Sequence, residues 1–306
     1  MTEELDELNR LFTSKNVEDV VKFYNHFDTP EQLIEWMKNR PSAPMKIYEV
    51  EGNKDILIVI PTSNHEGELA KNCANDIFKG QQIVFVESNG PFFNYARSCN
   101  YGLRYALKYN PKWIILSNDD IYKIDDISVL VKQLSNLNNI NFDTVFIDPN
   151  PDYHHSDDSY VISYGFFDVT LLPLLYKFSK LKQILRKKYK ILYGVTNFKN
   201  NKNRLRYLLS KKVSPFIGVG DFAIFSSVFL GIKNYKVFDE VFINGYEDIA
   251  LSLELYHRNR YLNIDFKLGS HISSSLGRSD SQILRSISNA AYFSFCFKFL
   301  KNKIVH

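Results

Sequence analysis

The sequence predicts an α/β fold in which a mostly parallel sheet is flanked by helices, and three observations carry that prediction. Residues 56–60, Ile-Leu-Ile-Val-Ile, form an unbroken apolar run stopped by Pro61, as in a strand covered on both faces. From there strand-like and helix-like stretches alternate up to residue 116, the layout of successive parallel βαβ units. The strand at 113–116 then runs through Ser117 into Asn118-Asp119-Asp120. Two adjacent carboxylates thus fall where a parallel strand ends, the edge at which open α/β sheets hold their ligands.

The elements follow in order. Residues 1–50 read as a helical N-terminal extension. In it Thr29-Pro30-Glu31-Gln32 supplies a capping residue, a proline at the first helical position and a glutamine three past the cap. Pro41 and Pro44 close that segment. After the 56–60 strand comes a helical stretch over 68–78. A second strand over 82–87 ends in the turn Ser88-Asn89-Gly90-Pro91. A helix over 95–108 leads to the 113–116 strand, and Thr144-Val145-Phe146-Ile147 adds another strand. The rhythm breaks at about 172–213, which reads as a basic helical insertion. Residues 216–229 return to small and apolar types, with Gly218 and Gly220 ahead of a helix. Gly245-Tyr246-Glu247-Asp248 opens an amphipathic helix over 249–258, and a strand around 261–268 leads to His271. Residues 281–306 form a C-terminal amphipathic helix, read either as a membrane-surface helix or as one packed on the body. The central domain therefore spans 51–280.

The bulk numbers exclude several classes. With 306 residues, 45% hydrophobic and 24% charged, the chain is neither fibrous nor disordered. A net charge of +4 does not imply a nucleic-acid partner. The excess is local: residues 177–212 hold 13 Lys or Arg and no Asp or Glu, which reads as a solvated helical face or as a neighbour of an anionic surface. Cys73, Cys99 and Cys296 are widely spaced, which argues against a disulfide framework and for a reducing compartment. The acidic start of the chain is unlike a signal peptide, and no apolar run is long enough to span a bilayer. The expected location is cytoplasmic, with attachment to the cytoplasmic face of a membrane left open.

Adjacent carboxylates at a strand end repel each other unless a cation lies beside them, and hard oxygen ligands suit Mg²⁺ or Mn²⁺. Asn-Asp-Asp is equally good turn chemistry. What adds weight is the order of the whole set: an apolar strand ending at Pro61-Thr62, a strand ending Glu87-Ser88-Asn89-Gly90, then Asn94 to Gly102 with Arg97 and Asn100. Asn118-Asp119-Asp120, Gly218-Val219-Gly220-Asp221, Glu247-Asp248, His271 and Arg278-Ser279 follow.

This series resembles the inverting family 2 glycosyltransferases of GT-A fold, over about residues 55–126 and 214–279. The resemblance implies a Rossmann-like nucleotide-binding domain with a DxD-type motif, here with Asn in its first place. It implies metal ligation by Asp120 and His271 and donor contacts from Pro61, Thr62, Glu87, Asn89, Arg97, Asn100, Asn118, Asp119 and Arg278. Acceptor contacts would come from Gly220, Asp221 and Glu247, and the catalytic pair would be Asp248, as the base, and Glu247, which orients the acceptor. The implied cofactor is Mn²⁺ or Mg²⁺. The implied donor is a nucleoside-diphosphate sugar, UDP-sugar favoured over GDP- or dTDP-sugar, and the acceptor a glycan or lipid-linked glycan. Peripheral membrane contact is left open and nucleic acid is not expected. Two alternatives stand beside this. One is a nucleotidyltransferase, which the region 62–67 disfavours because it holds no Gly-rich, Lys-bearing phosphate loop. The other is a non-catalytic nucleic-acid- or membrane-binding module using residues 177–212.

Overall fold

A computed structural model describes residues 2–147, 159–163, 188–189, 191, 193–197, 211–216, 222–271 and 279–304. The central element is a seven-stranded sheet built from β1 (Lys46–Val50), β2 (Asn53–Thr62), β3 (Gln81–Glu87), β4 (Trp113–Ser117), β6 (Thr144–Ile147), β10 (Phe222–Ser226) and β11 (Tyr261–Ile264). Their spatial order is β1-β3-β2-β4-β10-β6-β11. β2 pairs in parallel with both β3 and β4, and β11 in parallel with β6, whereas β1 and β10 run antiparallel to their neighbours. The mostly parallel α/β sheet read from the sequence is therefore present.

The apolar run in β2 has the expected physical cause. Ile56, Ile58 and Ile60 face one core, with Ile83, Phe85, Ile115, Leu130 and Leu134, while Leu57 and Val59 face another, with Leu103, Leu116, Phe229 and Leu255. Both faces are thus covered, and alternation is unnecessary. On the first face lie α4 (Glu68–Asn72), a π-type turn over Cys73–Ile77, and α6 (Ile127–Ser135). On the second lie α5 (Tyr95–Ala106), α7 (Ser227–Ile232) and α8 (Glu247–Arg258).

The N-terminal helices α1 (Thr2–Thr13), α2 (Val17–Asn25) and α3 (Pro30–Asn39) do not stand apart as an extension. Phe12, Phe23 and Trp36 share one core with Phe242, Leu253 and, from α9 (Asp280–Ile304), Leu284, Ile287 and Phe293. Tyr24 ties α2 to the last helix, its hydroxyl donating to the Leu284 carbonyl at 2.8 Å. The capping box at Thr29 and Gln32 is formed as the sequence implies. Of the two readings of the C-terminal helix, packing on the body holds for residues 284–297. Leu284, Ile287, Tyr292, Phe293 and Phe297 are core there, because α1–α3 present a matching apolar surface, while Phe295 is exposed.

The basic segment also departs from expectation. Described within and beside it are β7 (Ser159–Ser163), β8 (Tyr193–Asn197) and β9 (Lys211–Phe216), an antiparallel three-stranded sheet, so the insertion is not wholly helical. The Tyr-, Val- and Ile-containing runs in these strands suit strands, which the density of Lys and Arg obscures. The single strand expected over 261–268 is two, β11 and the short β12 (Leu268–Ser270), which pairs with β5 (Ile121–Lys123). Among the described residues no helix is long and apolar enough to cross a membrane.

Candidate functional site

The chain passes from β2 to β3 on one side and then crosses to β4 on the other, so the carboxyl ends of β2 and β4 border a topological switch point. Such a crevice is where doubly wound sheets bind ligands. A hydrogen bond spans it: the Thr62 hydroxyl at the end of β2 donates to Asp119 Oδ2 beyond β4, at 2.6 Å. The same hydroxyl oxygen accepts the backbone N–H of Asn64 at 3.2 Å. Asp119 is backed by the buried Cys73, whose thiol donates to the Asp119 carbonyl at 3.5 Å. Burial raises the Asp119 carboxyl above its ordinary range, the charge of Asp120 raises it further, and the Thr62 bond works against both.

His271 reaches this corner through the β5–β12 ribbon. In that pairing Ser270 lies opposite Ile121, and the next step brings the His271 backbone N–H onto the Asp120 carbonyl at 2.8 Å. Gly269 makes the ribbon possible, because a Cβ there would run into the Tyr122 ring on the facing strand. Tyr122 also meets the His271 imidazole, ring centroids 5.1 Å apart. Asp120 is buried and the His271 side chain is exposed.

Next to this corner, Thr62 pairs with Glu87 across β2 and β3, and Pro61 with Val86. Glu87 is engaged by His65, a residue the sequence reading passed over. His65 donates its backbone N–H to Glu87 Oε2 at 3.0 Å and brings Nδ1 to the same oxygen at 2.6 Å. That hydrogen bond holds the Glu87 carboxyl below its usual range. The imidazole is stacked face to face on Tyr48, centroids 3.4 Å apart and planes 8° from parallel. Asn89 Nδ2 donates to the Ser63 carbonyl at 3.3 Å, closing the same loop cluster.

Two donor assignments need correction. Asn100 is fully buried and saturated: Oδ1 accepts the backbone N–H groups of Val237 and Phe238, while Nδ2 donates to the Phe238 carbonyl and to Glu240 Oε1. No bonding capacity remains for a nucleotide. Arg97 points its guanidinium at the Arg40 carbonyl and the Ser42 hydroxyl, so it holds the segment after α3 instead. Asn100→Ala should cost about 2–4 kcal/mol, because four bonds go and buried backbone groups lose their partners. Urea unfolding measures this, and an unchanged midpoint would show that the 237–240 segment is held by other means.

The acidic pair opens α8, on the side of the sheet where α5 begins. Asn94, the N-cap of α5, donates to the carbonyls of Glu240 and Phe242, and Asn244 Oδ1 accepts the Tyr95 backbone N–H at 2.8 Å. Asn289 on α9 holds Ile243 at both its N–H and its carbonyl. Within this frame Tyr246 sits at φ 75°, a left-handed conformation costly for a non-glycine residue, with its ring packed on Phe293. Glu247 is buried, and its Oε2 accepts the Gly245 backbone N–H at 2.6 Å. Burial, then the charge of Asp248, push the Glu247 carboxyl up to about 8. Asp248, next to it, is half-buried.

The Glu247 shift makes stability depend on pH. An ordinary glutamate releases its proton near 4.5, whereas the folded chain keeps it on Glu247 to about 8. Between these values the folded state binds more protons than the unfolded state. The resulting stabilisation is complete below the lower value and is lost as pH rises through the upper one. Glu247→Gln should therefore flatten the fall in unfolding free energy between pH 5 and pH 8; an unaltered slope would place the proton elsewhere.

Arg278, Gly220 and Asp221 lie outside the described residues. Among the described residues no group of three His, Cys, Asp or Glu is set to hold a metal ion. The donor set at the switch point still fits a divalent cation of the Mg²⁺ type. Such ions are commonly held by one or two protein ligands, with substrate phosphates and water completing the shell, and Asp119 beside Asp120 supplies a repulsion that a cation relieves. No protein-family model matches the chain, and a search of curated proteins finds no significant match.

Proposed function

We propose that the chain is a metal-dependent inverting glycosyltransferase of GT-A type, moving a sugar from a nucleoside diphosphate to an acceptor hydroxyl. The observation that carries this reading is the meeting of residues far apart in sequence. Asp119 and Asp120, the end of β2 and His271 converge on one switch point, joined by the Thr62–Asp119 and His271–Asp120 hydrogen bonds. Asp120 and the His271 imidazole would hold the cation, which when bound supplies Lewis-acid stabilisation of the departing diphosphate. Thr62 orients Asp119 towards the ribose and diphosphate, and Glu87, steadied by His65, offers a carboxylate to the base.

The acceptor side is assigned to α8. Asp248 takes the proton of the attacking hydroxyl as the new bond forms, and attack from the face opposite the leaving group inverts the anomeric centre. Glu247, protonated in its buried position, braces the turn through Gly245 and keeps a second negative charge away from Asp248. The UDP-, GDP- and dTDP-sugars tested with Mn²⁺ or Mg²⁺ discriminate the possibilities. At least one should raise the unfolding temperature only with metal and be slowly hydrolysed. A chain indifferent to all of them would overturn the reading.

A further inference from the structure

Glu87, at the carboxyl end of β3, receives two hydrogen bonds on a single oxygen. The His65 backbone N–H reaches Oε2 at 3.0 Å, and His65 Nδ1 reaches the same atom at 2.6 Å. The His65 bonds favour the ionised form of Glu87, so the imidazole carries the shared proton and Nδ1 is the donor. Among the described residues, every hydrogen bond to the Glu87 side chain falls on Oε2. That side chain is 20% exposed, and Oε1 is left as its acceptor for a ligand.

The imidazole is held at that oxygen from several sides. Its ring lies on Tyr48, whose place is fixed by the pairing of β1 with β3, Lys46 opposite Glu87 and Tyr48 opposite Phe85. The loop that carries His65 is folded on itself. The Asn64 N–H donates to Thr62 Oγ1 at 3.2 Å, and Asn64 Oδ1 accepts the Glu66 N–H at 3.0 Å. Asn89, beyond β3, donates to the Ser63 carbonyl and joins the two loops.

This arrangement limits what Glu87 can recognise. A carboxylate with both oxygens open suits guanine, whose ring N–H and amino group form a parallel pair of donors. An oxygen that already accepts two hydrogen bonds has used both of its lone pairs. With Oε2 filled, Glu87 meets a single donor through Oε1 and cannot meet a matched pair. Uracil and thymine present one such donor, the imide N–H between two carbonyl oxygens. We propose that His65 is a specificity-determining residue: by filling Oε2 it restricts Glu87 to a base with a single imide N–H, selecting a uridine or thymidine diphosphate donor over a guanosine one. The selection rests on the glycosyl-transfer reading above, in which Glu87 meets the base, and adds which base is taken and which residue decides it.

The test is calorimetric titration of the full chain with UDP and with GDP, Mn²⁺ present throughout. The two share ribose and diphosphate, so the ratio of their affinities isolates the base. UDP should bind about tenfold or more tightly than GDP, the worth of one charge-assisted hydrogen bond, and dTDP should lead dGDP in the same sense. His65→Phe keeps a ring beside Tyr48 and the backbone N–H but removes the second donor. The UDP preference should then shrink to about twofold or less. His65→Asn, whose amide can donate to Oε2, should restore most of it. In a Glu87→Ala background His65→Phe should leave the ratio unchanged, because His65 acts through the carboxylate. Unfolding midpoints establish that each variant is folded, and a merely structural disturbance would weaken both nucleotides together. A wild type that binds GDP as tightly as UDP, or a His65→Phe variant that keeps the full UDP preference, overturns the role of His65. A wild type that binds neither nucleotide overturns the glycosyl-transfer reading itself, and the selection falls with it.

Discussion

Asp248→Asn is expected to remove sugar transfer while leaving nucleotide-sugar binding near its wild-type strength. The amide keeps the size of the side chain and its place in the first turn of α8, yet it cannot accept the acceptor's proton. Loss of a general base lowers kcat by about 10²–10⁴-fold. The surrounding frame should survive, because the turn before α8 is held by Asn94, Asn244, Glu247 and Asn289 and not by the Asp248 side chain alone. Transfer rate and donor affinity must be measured together. A fall in both would signal a disturbed donor site, and normal turnover would show that another group takes the proton. Glu247 is the first alternative to examine, since it lies beside Asp248 in the first turn of α8 and burial raises its carboxyl well above the ordinary range.

The second large effect is expected at Asp120. Asp120→Ala should abolish the part of donor affinity that depends on Mn²⁺ or Mg²⁺, leaving only the metal-free component. The substitution removes a carboxylate but keeps the backbone carbonyl that accepts the His271 N–H, so the β5–β12 ribbon remains in register. Direct and indirect effects thereby separate. If the variant is stable and UDP binds it equally with and without metal, the carboxylate is the metal's anchor. If the wild type also binds UDP without regard to metal, Asp120 has no such role. Relief of repulsion should appear as well: with Asp120 gone, one of the two influences that raise the Asp119 carboxyl disappears.

Much of this geometry was legible in the sequence, for identifiable reasons. β2 and β4 announce themselves because strands covered on both faces need unbroken apolar runs, and the acidic tripeptide marks the end of one of them. The Thr29 cap is local chemistry and is read locally. Arg97 and Asn100 show the limit. Their helix was read correctly, but the face each would present depends on the 237–242 segment and on residues 40–42, whose approach no local pattern encodes. The ribbon of β5 and β12 was not legible either. Its strands are short, lie far apart in the chain, and depend on a glycine whose need becomes visible only when Tyr122 is laid across it. The joining of α1–α3 with α9 is likewise a matching of two apolar surfaces, each ambiguous alone. His65 gave no signal beyond its position in the loop after β2; its stack on Tyr48 arises from the pairing of β1 with β3.

The most direct test of the account is pulsed electron paramagnetic resonance of Mn²⁺ bound to the intact chain with UDP. Coupling to an imidazole nitrogen is predicted in the wild type and should vanish in His271→Ala while phosphorus coupling from the diphosphate persists. A wild-type spectrum with no nitrogen coupling, or one that His271→Ala leaves unchanged, would contradict the claim that residues 120 and 271 share a single cation.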